Sequence, residues 1–406
     1  MFIREMSLAE FKEFANTHFI GNFHESINYA LIKAEEGFEY EFIAYGADDI
    51  VGAALILYKK IGSVYFGYSP RGFLIDYSND YLLEDFTNKI KEYYKNRNFA
   101  FIKINPEIAI AKLNKDTMNF EYNENYKIID MLTKNGYKKL KNNMNFEALL
   151  PRVNAIIKLD GYDYNNLSKN TRNKVKKGIR KGLILEKANP DKLNIFYKFI
   201  KNKINRDEYY YNDFYNVFSK TLDVDLMLVK VDYKAFLINA QEAYSEELRR
   251  NASFNNKLIT NNNANAINAK MNSDKALLSY KNDIAEASKN LNTGLETYVA
   301  GALVIKHQNR VIIQISGFNK AMSRFSPNYF LYYALIKYYQ QEYKYLDLNG
   351  ITADLSKENH YYGLNRFKMG FNPDVYEYIG EFDLVIDEKQ YEKLLKSGAL
   401  AKEFNK

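Results

Sequence analysis

From Lys234 to Asn292 the chain contains no glycine, no proline and few β-branched residues. A stretch so free of helix breakers and so poor in strand formers is a helical stretch. Leu277, Tyr280, Ile284, Ala287 and Leu291 follow alternating spacings of three and four, the seam of a two-stranded coiled coil. Upstream, Leu237, Ala240, Tyr244 and Leu248 do the same, and Asn261-Asn262-Asn263 lies between the two runs as a turn. The pattern predicts an antiparallel coiled-coil hairpin over residues 234–294. A pair of ordinary core helices is the competing reading. An inserted arm needs a host in which the two flanking segments already pair, and both flanks, Asp225 to Asp232 and Thr297 to Lys306, read as strands.

The host is expected to be α/β with mixed sheets. Ser7-Leu8-Ala9-Glu10 is a capping box opening a helix through Asn16. A helix over Ser26 to Glu36 follows, then strands over Glu39 to Tyr45, Ile50 to Lys59 and Ser63 to Tyr68. Asn79 to Asn96 has helical spacing with Leu82, Phe86, Ile90 and Tyr93 on one face, and Phe99 to Asn105 is a strand ended by Pro106. The second half repeats this plan faintly. Tyr338-Tyr339 precedes a strand over Tyr343 to Leu348 as Tyr93-Tyr94 precedes the earlier one, and each half closes on a helix, a glycine-aromatic pair (Gly136-Tyr137, Gly370-Phe371) and a strand. With 406 residues, two or three domains are expected. The division is 1–150 for a first domain, 151–233 and 295–406 for a second, with the arm at 234–294.

Several chemistries are excluded by what is missing. There is no cysteine, hence no thiol nucleophile, disulfide or thiolate metal site. The four histidines, His18, His24, His307 and His360, are not spaced as metal ligands, and no metal or cofactor is expected. No GxxxxGK[ST], GxGxxG or GxSxG motif occurs, which argues against a P-loop, a dinucleotide site and a nucleophile elbow. No apolar run approaches a membrane span and the first residues carry no signal-like apolar core, so a cytoplasmic location is expected.

The sharpest charge feature is Ser168 to Gly182. Lys169, Arg172, Lys174, Lys176, Lys177, Arg180 and Lys181 stand there without one acid, against a formal net charge of +7 for the whole chain. Val175 and Ile179 give this helix a narrow apolar face, leaving a basic outer side suited to nucleic-acid phosphates. A merely solvated face is the plainer alternative. Three other places carry candidate groups: Lys368 in Arg366-Phe367-Lys368-Met369-Gly370, Arg206 to Tyr211, and Arg71 in the Pro70-Arg71-Gly72 turn. Taken alone, each is equally a structural feature.

Taken together, they resemble the Fem family of tRNA-dependent aminoacyltransferases, which build the interpeptide bridge of peptidoglycan. Phe23-His24-Glu25-Ser26 through Lys33 and Glu36-Gly37-Phe38-Glu39 look like its N-terminal signature. Pro70-Arg71-Gly72, the basic helix, Asn349-Gly350-Ile351-Thr352 and Phe367-Lys368-Met369-Gly370-Phe371 follow in the family's order over nearly the whole chain. The resemblance implies two tandem GNAT-like domains with the helical arm projecting from the second. It implies an acyl donor on tRNA and, as acceptor, an amine of lipid II or UDP-MurNAc-pentapeptide. Lys33, Arg206 and Arg71 would bind this precursor, the first two through its phosphates, with Tyr210 on its peptide. Phe367 and Lys368 would serve the acyl transfer, Lys368 stabilising the oxyanion or leaving oxygen. Arg172, Lys176, Lys177, Arg180 and Lys181 would hold tRNA. A monomer touching the inner membrane surface is expected.

The chain departs from the family at Asn105-Pro106, where the family often has Asp-Pro and where Asn cannot act as a base. It departs also at Ser316-Gly317, where in the family a Tyr precedes the glycine, and at Glu25, where the family has Gln. A CoA-dependent N-acyltransferase is one alternative, disfavoured because neither Gly72 to Asp80 nor Phe318 to Pro327 offers close-set glycines. A non-catalytic tRNA-binding or immunity protein on the same scaffold is another.

Overall fold

The computed structural model describes residues 1–203, 205–260 and 263–404. Seven strands form a first sheet: Phe2–Glu5 (β1), Glu39–Gly46 (β2), Ile50–Ile61 (β3), Val64–Ser69 (β4), Phe99–Ile104 (β5), Tyr137–Lys139 (β8) and Phe382–Val385 (β16). Nine form a second: Ala109–Leu113 (β6), Phe120–Tyr122 (β7), Val153–Lys158 (β9), Leu183–Ala188 (β10), Val224–Val231 (β11), Tyr298–His307 (β12), Arg310–Phe318 (β13), Tyr345–Ile351 (β14) and Asp374–Tyr378 (β15). The orders are β1-β2-β3-β4-β5-β16-β8 and β10-β11-β12-β13-β14-β9-β15-β6-β7. Each sheet is antiparallel apart from one parallel pair, β4 with β5 and β13 with β14, so the α/β class with mixed sheets holds. The helices are Leu8–Thr17 (α1), Ile27–Glu35 (α2), Asp80–Lys95 (α3), Ile128–Lys134 (α4), Lys169–Arg180 (α5), Leu193–Ile200 (α6), Glu208–Ser219 (α7), Tyr233–Thr260 (α8), Ala264–Thr293 (α9), Pro327–Tyr339 (α10), Tyr362–Met369 (α11), Glu388–Ser397 (α12) and Ala399–Phe404 (α13).

Local chemistry sets most boundaries. The Ser7 hydroxyl accepts from Glu10 N while the Glu10 carboxylate accepts from Ser7 N, the reciprocal cap expected for α1. Ser26 caps α2 and Asn79 caps α3. On α3 the buried stripe is Leu83, Phe86, Ile90 and Tyr94, one residue round from the expected face at its two ends. Gly370 ends α11 with helical angles (φ −60°), so it is not needed for a left-handed cap. Its hydrogen matters instead, because a Cβ there would collide with the Thr171 hydroxyl of α5.

The two sheets share strands across the sequence division at residue 150. β6 and β7 leave the first half and pair through β15 with the second sheet. β16 returns from near the end of the sequence to sit between β5 and β8. Lys103 on β5 and Asp383 on β16 are both buried, with Nζ 2.7 Å from Oδ1, so this insertion also matches two charges. α2 and α7 pack the halves into one apolar core, in which Phe23 meets the Phe218 ring at 6.0 Å.

α8 and α9 lie side by side as the expected hairpin; Asn261 and Asn262 of the expected turn fall outside the described residues. The seam differs from its prediction. Leu248 and Leu291 are exposed, whereas Glu247, Asn251 and Ser273 are buried. The Ser273 hydroxyl donates to Glu247 at 2.6 Å, and Asn251 donates to Ser273 and Asp274. Such a polar layer fixes register, since a slip would leave it unsatisfied. β11 and β12 are antiparallel neighbours up to Lys230 and Tyr298, so a short turn could close the gap left by the arm. Replacing residues 234–294 with such a turn is expected to leave a cooperatively folding chain. A thermal melt of the purified variant checks this, and loss of a cooperative transition would make the arm part of the core. Because Asp283 of α9 neutralises the buried Lys181, the shortened chain should regain stability when Lys181→Met is added.

Candidate functional site

The structure gathers Lys33, Arg206 and Tyr210 into one place. Lys33 stands in the last turn of α2, and Arg206 just before α7. Both cations grip a single carboxylate: Glu36 Oε2 lies 3.0 Å from Lys33 Nζ and Oε1 2.8 Å from Arg206 Nη2. The Arg206 guanidinium also stacks 4.6 Å over the Tyr210 ring. Burial works against the Lys33 charge, but Tyr29 and Glu36 outweigh it and hold its pKa up to about 12. It is therefore a permanent cation at physiological pH. An open cavity of about 370 Å³ adjoins this group, lined by Ile32, Glu36, Phe38, Lys59, Arg206 and Tyr210 among others. A smaller recess leads from Arg206 and Tyr210 to Gln314 and Ile315 on β13.

Glu36 was not singled out as a site residue, although it belongs to the N-terminal motif. Its signal is positional: at i+3 from Lys33 it faces the same side of the helix end. Arg71 lies apart from this cavity. It is buried between the sheets with φ 60°, its Nη1 donating to Pro151 O at 3.2 Å and its Nε 3.6 Å from Glu107. Glu107 in turn accepts from Asn22, Arg310 and Tyr378. Asn105, where the family often has Asp, accepts from Arg71 N at 2.9 Å, while its Nδ2 is buried without a hydrogen-bond partner.

Lys368 is turned inward from α11. It is 6% exposed and donates to Gly350 O at 2.7 Å. No described carboxylate lies within ion-pairing distance of it, the nearest influence being Asp347 on β14. Burial pulls its pKa down to about 7, so it is not the fixed cation expected from sequence but a group that can give or take a proton near neutrality. Asp347, buried beside it, has its pKa raised, chiefly by burial. Phe367 points elsewhere, into an aromatic cluster with Tyr329, Tyr332 and Phe371. It is a packing residue that fixes α11.

The basic segment is the helix α5. Its buried side is Thr171, Val175 and Gly178; Ile179, expected there, is exposed. Arg172 donates back to Asn165 O and Leu167 O. Lys181 is no surface cation. It is buried, paired with Asp283 and stacked 4.9 Å from the Phe236 ring. Lys169, Lys174, Lys176, Lys177 and Arg180 have no ion-pair partner among the described residues, so a basic ridge remains. Two attachments place it. Ser168 N donates to Gly370 O at 2.9 Å, tying the start of α5 to the end of the Lys368 helix. At its other end Lys177 and Arg180 line a cleft of about 220 Å³ with Ala240 and Tyr280 of the arm. The ridge thus spans about 18 Å from the Lys368 helix to the arm's base.

Comparison with known proteins bears on the chain as a whole. The chain is 25% identical over 401 residues to the lipid II:glycine glycyltransferase of Staphylococcus aureus strain USA300, covering 94% of this chain and 92% of that one. Its counterpart in strain bovine RF122 is 26% identical over the same length. The crystal structure of FemX superposes with a TM-score of 0.76 at 23% identity, covering 97% of this chain and all of that one, which shows a shared fold. The model of the FemAB family matches residues 6–396. From its ends inward, then, and through both sheets, this chain belongs to the FemAB family.

Proposed function

We propose that this protein is an aminoacyltransferase that moves an amino acid from aminoacyl-tRNA to an amine of a peptidoglycan precursor, lipid II or UDP-MurNAc-pentapeptide, during interpeptide-bridge synthesis. The observation that carries this reading is Lys368: a buried lysine without a carboxylate partner, on a helix tied directly to a basic ridge. Aminolysis of an ester is downhill, so the protein's work is to orient two large substrates and manage protons. The ridge of α5 receives the RNA backbone and presents the acyl end toward Lys368. Lys33 and Arg206 receive the precursor's phosphates, and its peptide follows Tyr210 toward Gln314. The attacking amine forms the C–N bond, and the ester C–O bond breaks. Lys368 gives its proton to the departing oxygen and is reprotonated by the proton the amine releases. Its pKa near 7 suits both transfers.

Glycine is the first amino acid to test, after the names of the relatives. No helix of the described residues is long and apolar enough to cross a membrane. On this reading a lipid-linked precursor is met by a monomer at the inner membrane surface. A transfer assay with labelled aminoacyl-tRNAs and both precursors tests the whole reading; transfer from acyl-CoA with none from tRNA would overturn it.

Two further outcomes are expected. Reversing Lys176, Lys177 and Arg180 to Glu should weaken tRNA binding and flatten its log-log salt slope by about 0.7 to 0.9 for each lost phosphate contact. Unchanged affinity and slope in a filter-binding titration would return α5 to an ordinary surface. Lys33→Ala should raise the KM for precursor with a smaller change in kcat, as for a group bound equally in ground and transition states. Glu36→Gln should lower that KM, because the incoming phosphate no longer competes with a resident carboxylate. Steady-state kinetics on both variants measures the pair.

A further inference from the structure

The face of the second sheet that α6 and α7 cover over β11 to β13 continues across β14, β9 and β15, where a cavity of about 420 Å³ lies open instead. Strand alternation places Tyr345 of β14, Ile156 and Lys158 of β9, and Tyr376 of β15 on this face. Tyr345 is paired directly with Lys158, and Ile156 with Asp374 next to Tyr376's row, so the two tyrosines flank an aliphatic and cationic middle strand. The acids here are already neutralised: Asp374 lies 3.1 Å from Lys112 and 3.6 Å from Lys115, and Glu107 is held by Arg310. Lys158 is exposed and has no ion-pair partner among the described residues. Lys112 lies 5.6 Å over the Tyr376 ring, adding charge at the rim.

Flat aromatic faces on a sheet, set either side of a free cation, are the chemistry that receives unpaired bases and their phosphates. We propose that this open sheet face is a binding platform for single-stranded ribonucleotides, with bases stacked on Tyr345 and Tyr376 and a backbone phosphate on Lys158. The six residues of β14 from Tyr345 to Gly350, whose carbonyl holds Lys368, span about 17 Å. The source of the strand rests on the aminoacyl-tRNA reading; the binding does not.

The test is calorimetric titration of the full-length chain with an unstructured pentaribonucleotide and, separately, with uridine diphosphate. Tyr345→Leu combined with Tyr376→Leu keeps the apolar bulk and removes the aromatic faces. This variant should lose about 10-fold or more in affinity for the oligonucleotide, given that a stacked base is worth a factor of about 5 to 150. Lys158→Ala should reduce the salt slope by about 0.7. Uridine diphosphate affinity should be unchanged by these variants and lowered by Lys33→Ala. Oligonucleotide affinity within about twofold of the parent in a normally melting tyrosine variant overturns the proposal, as does a loss confined to uridine diphosphate. A chain that binds RNA here but transfers no amino acid would leave the platform standing and sink the catalytic reading, so the two failures are distinguishable.

Discussion

Lys368→Ala is expected to lower kcat by about 100-fold to 1000-fold, the usual effect of removing one group that stabilises charge at a reacting oxygen. The same position should move stability in the opposite direction. A lysine whose pKa falls to about 7 on folding binds fewer protons than the unfolded chain between that value and its ordinary one near 10.5. Folding stability on this account rises with pH across that window, and at neutral pH the buried amine is a net cost. Lys368→Met, which fills the same space without an amine, should therefore raise stability at pH 7 by on the order of a few kcal/mol while lowering turnover as the alanine does. Kinetics and denaturant melts on one protein sample give both numbers. The parent's kcat should fall as pH rises above about 7, and the variant's residual rate should lack that limb. A Lys368 variant that is less stable and fully active would make the residue a structural one.

The second large effect is expected at Glu107. Its carboxylate joins Arg310 of the second sheet to Asn22 and Arg71, and Tyr378 closes the group. Burial alone would raise its pKa, but Arg310 and Arg71 overcome this and hold it below the ordinary carboxylate value. Glu107→Ala strands the buried Arg71 guanidinium and takes the nearer carboxylate from the half-buried Arg310, and should cost about 3 to 5 kcal/mol. Glu107→Gln, which keeps a shape and a hydrogen-bond acceptor, should cost less. The depressed pKa adds a pH signature. Glu107's contribution is present above the ordinary carboxylate pKa and is lost as pH falls through the lower folded value. Acid melts of the parent should therefore show a loss that Glu107→Gln lacks; identical acid profiles would refute the assignment.

Much of this architecture could be read from local chemistry. Ser7 and Glu10 define a helix start by themselves, and the absence of glycine and proline after Lys234 defines the arm. The α5 ridge was legible as charge, but not Lys181's withdrawal from it, because its partner Asp283 is about a hundred residues away and only packing brings them together. Ile179 misled for a related reason. The tight side of α5 is set by Gly178, whose missing side chain lets α10 approach, and a glycine carries no apolar signal. The arm's seam was misplaced at Leu248, since Glu247 reads as a surface residue until Ser273 satisfies it, whereas Asn251 stands at the seam's own spacing and only weakens its apolar pattern. Lys368 was located by its motif, but its protonation depends on a burial no motif states. Strand exchange was not legible at all: β16 is a short run whose partners β5 and β8 lie far back in the chain.

That exchange has a consequence for how the protein is made. β5 is apolar but for Lys103 and wholly buried in the finished molecule, and β16 supplies its second neighbour some 280 residues later. At ordinary rates of about 5 to 20 residues per second, the ribosome needs roughly 15 to 55 seconds to cover that distance. Throughout this interval the nascent first sheet displays an unpaired hydrophobic edge of the kind that invites pairing with another chain. The first half is therefore expected to depend on chaperone shielding during synthesis and to aggregate when released without the C-terminal strand. β16 acts as the clasp that ends this exposure.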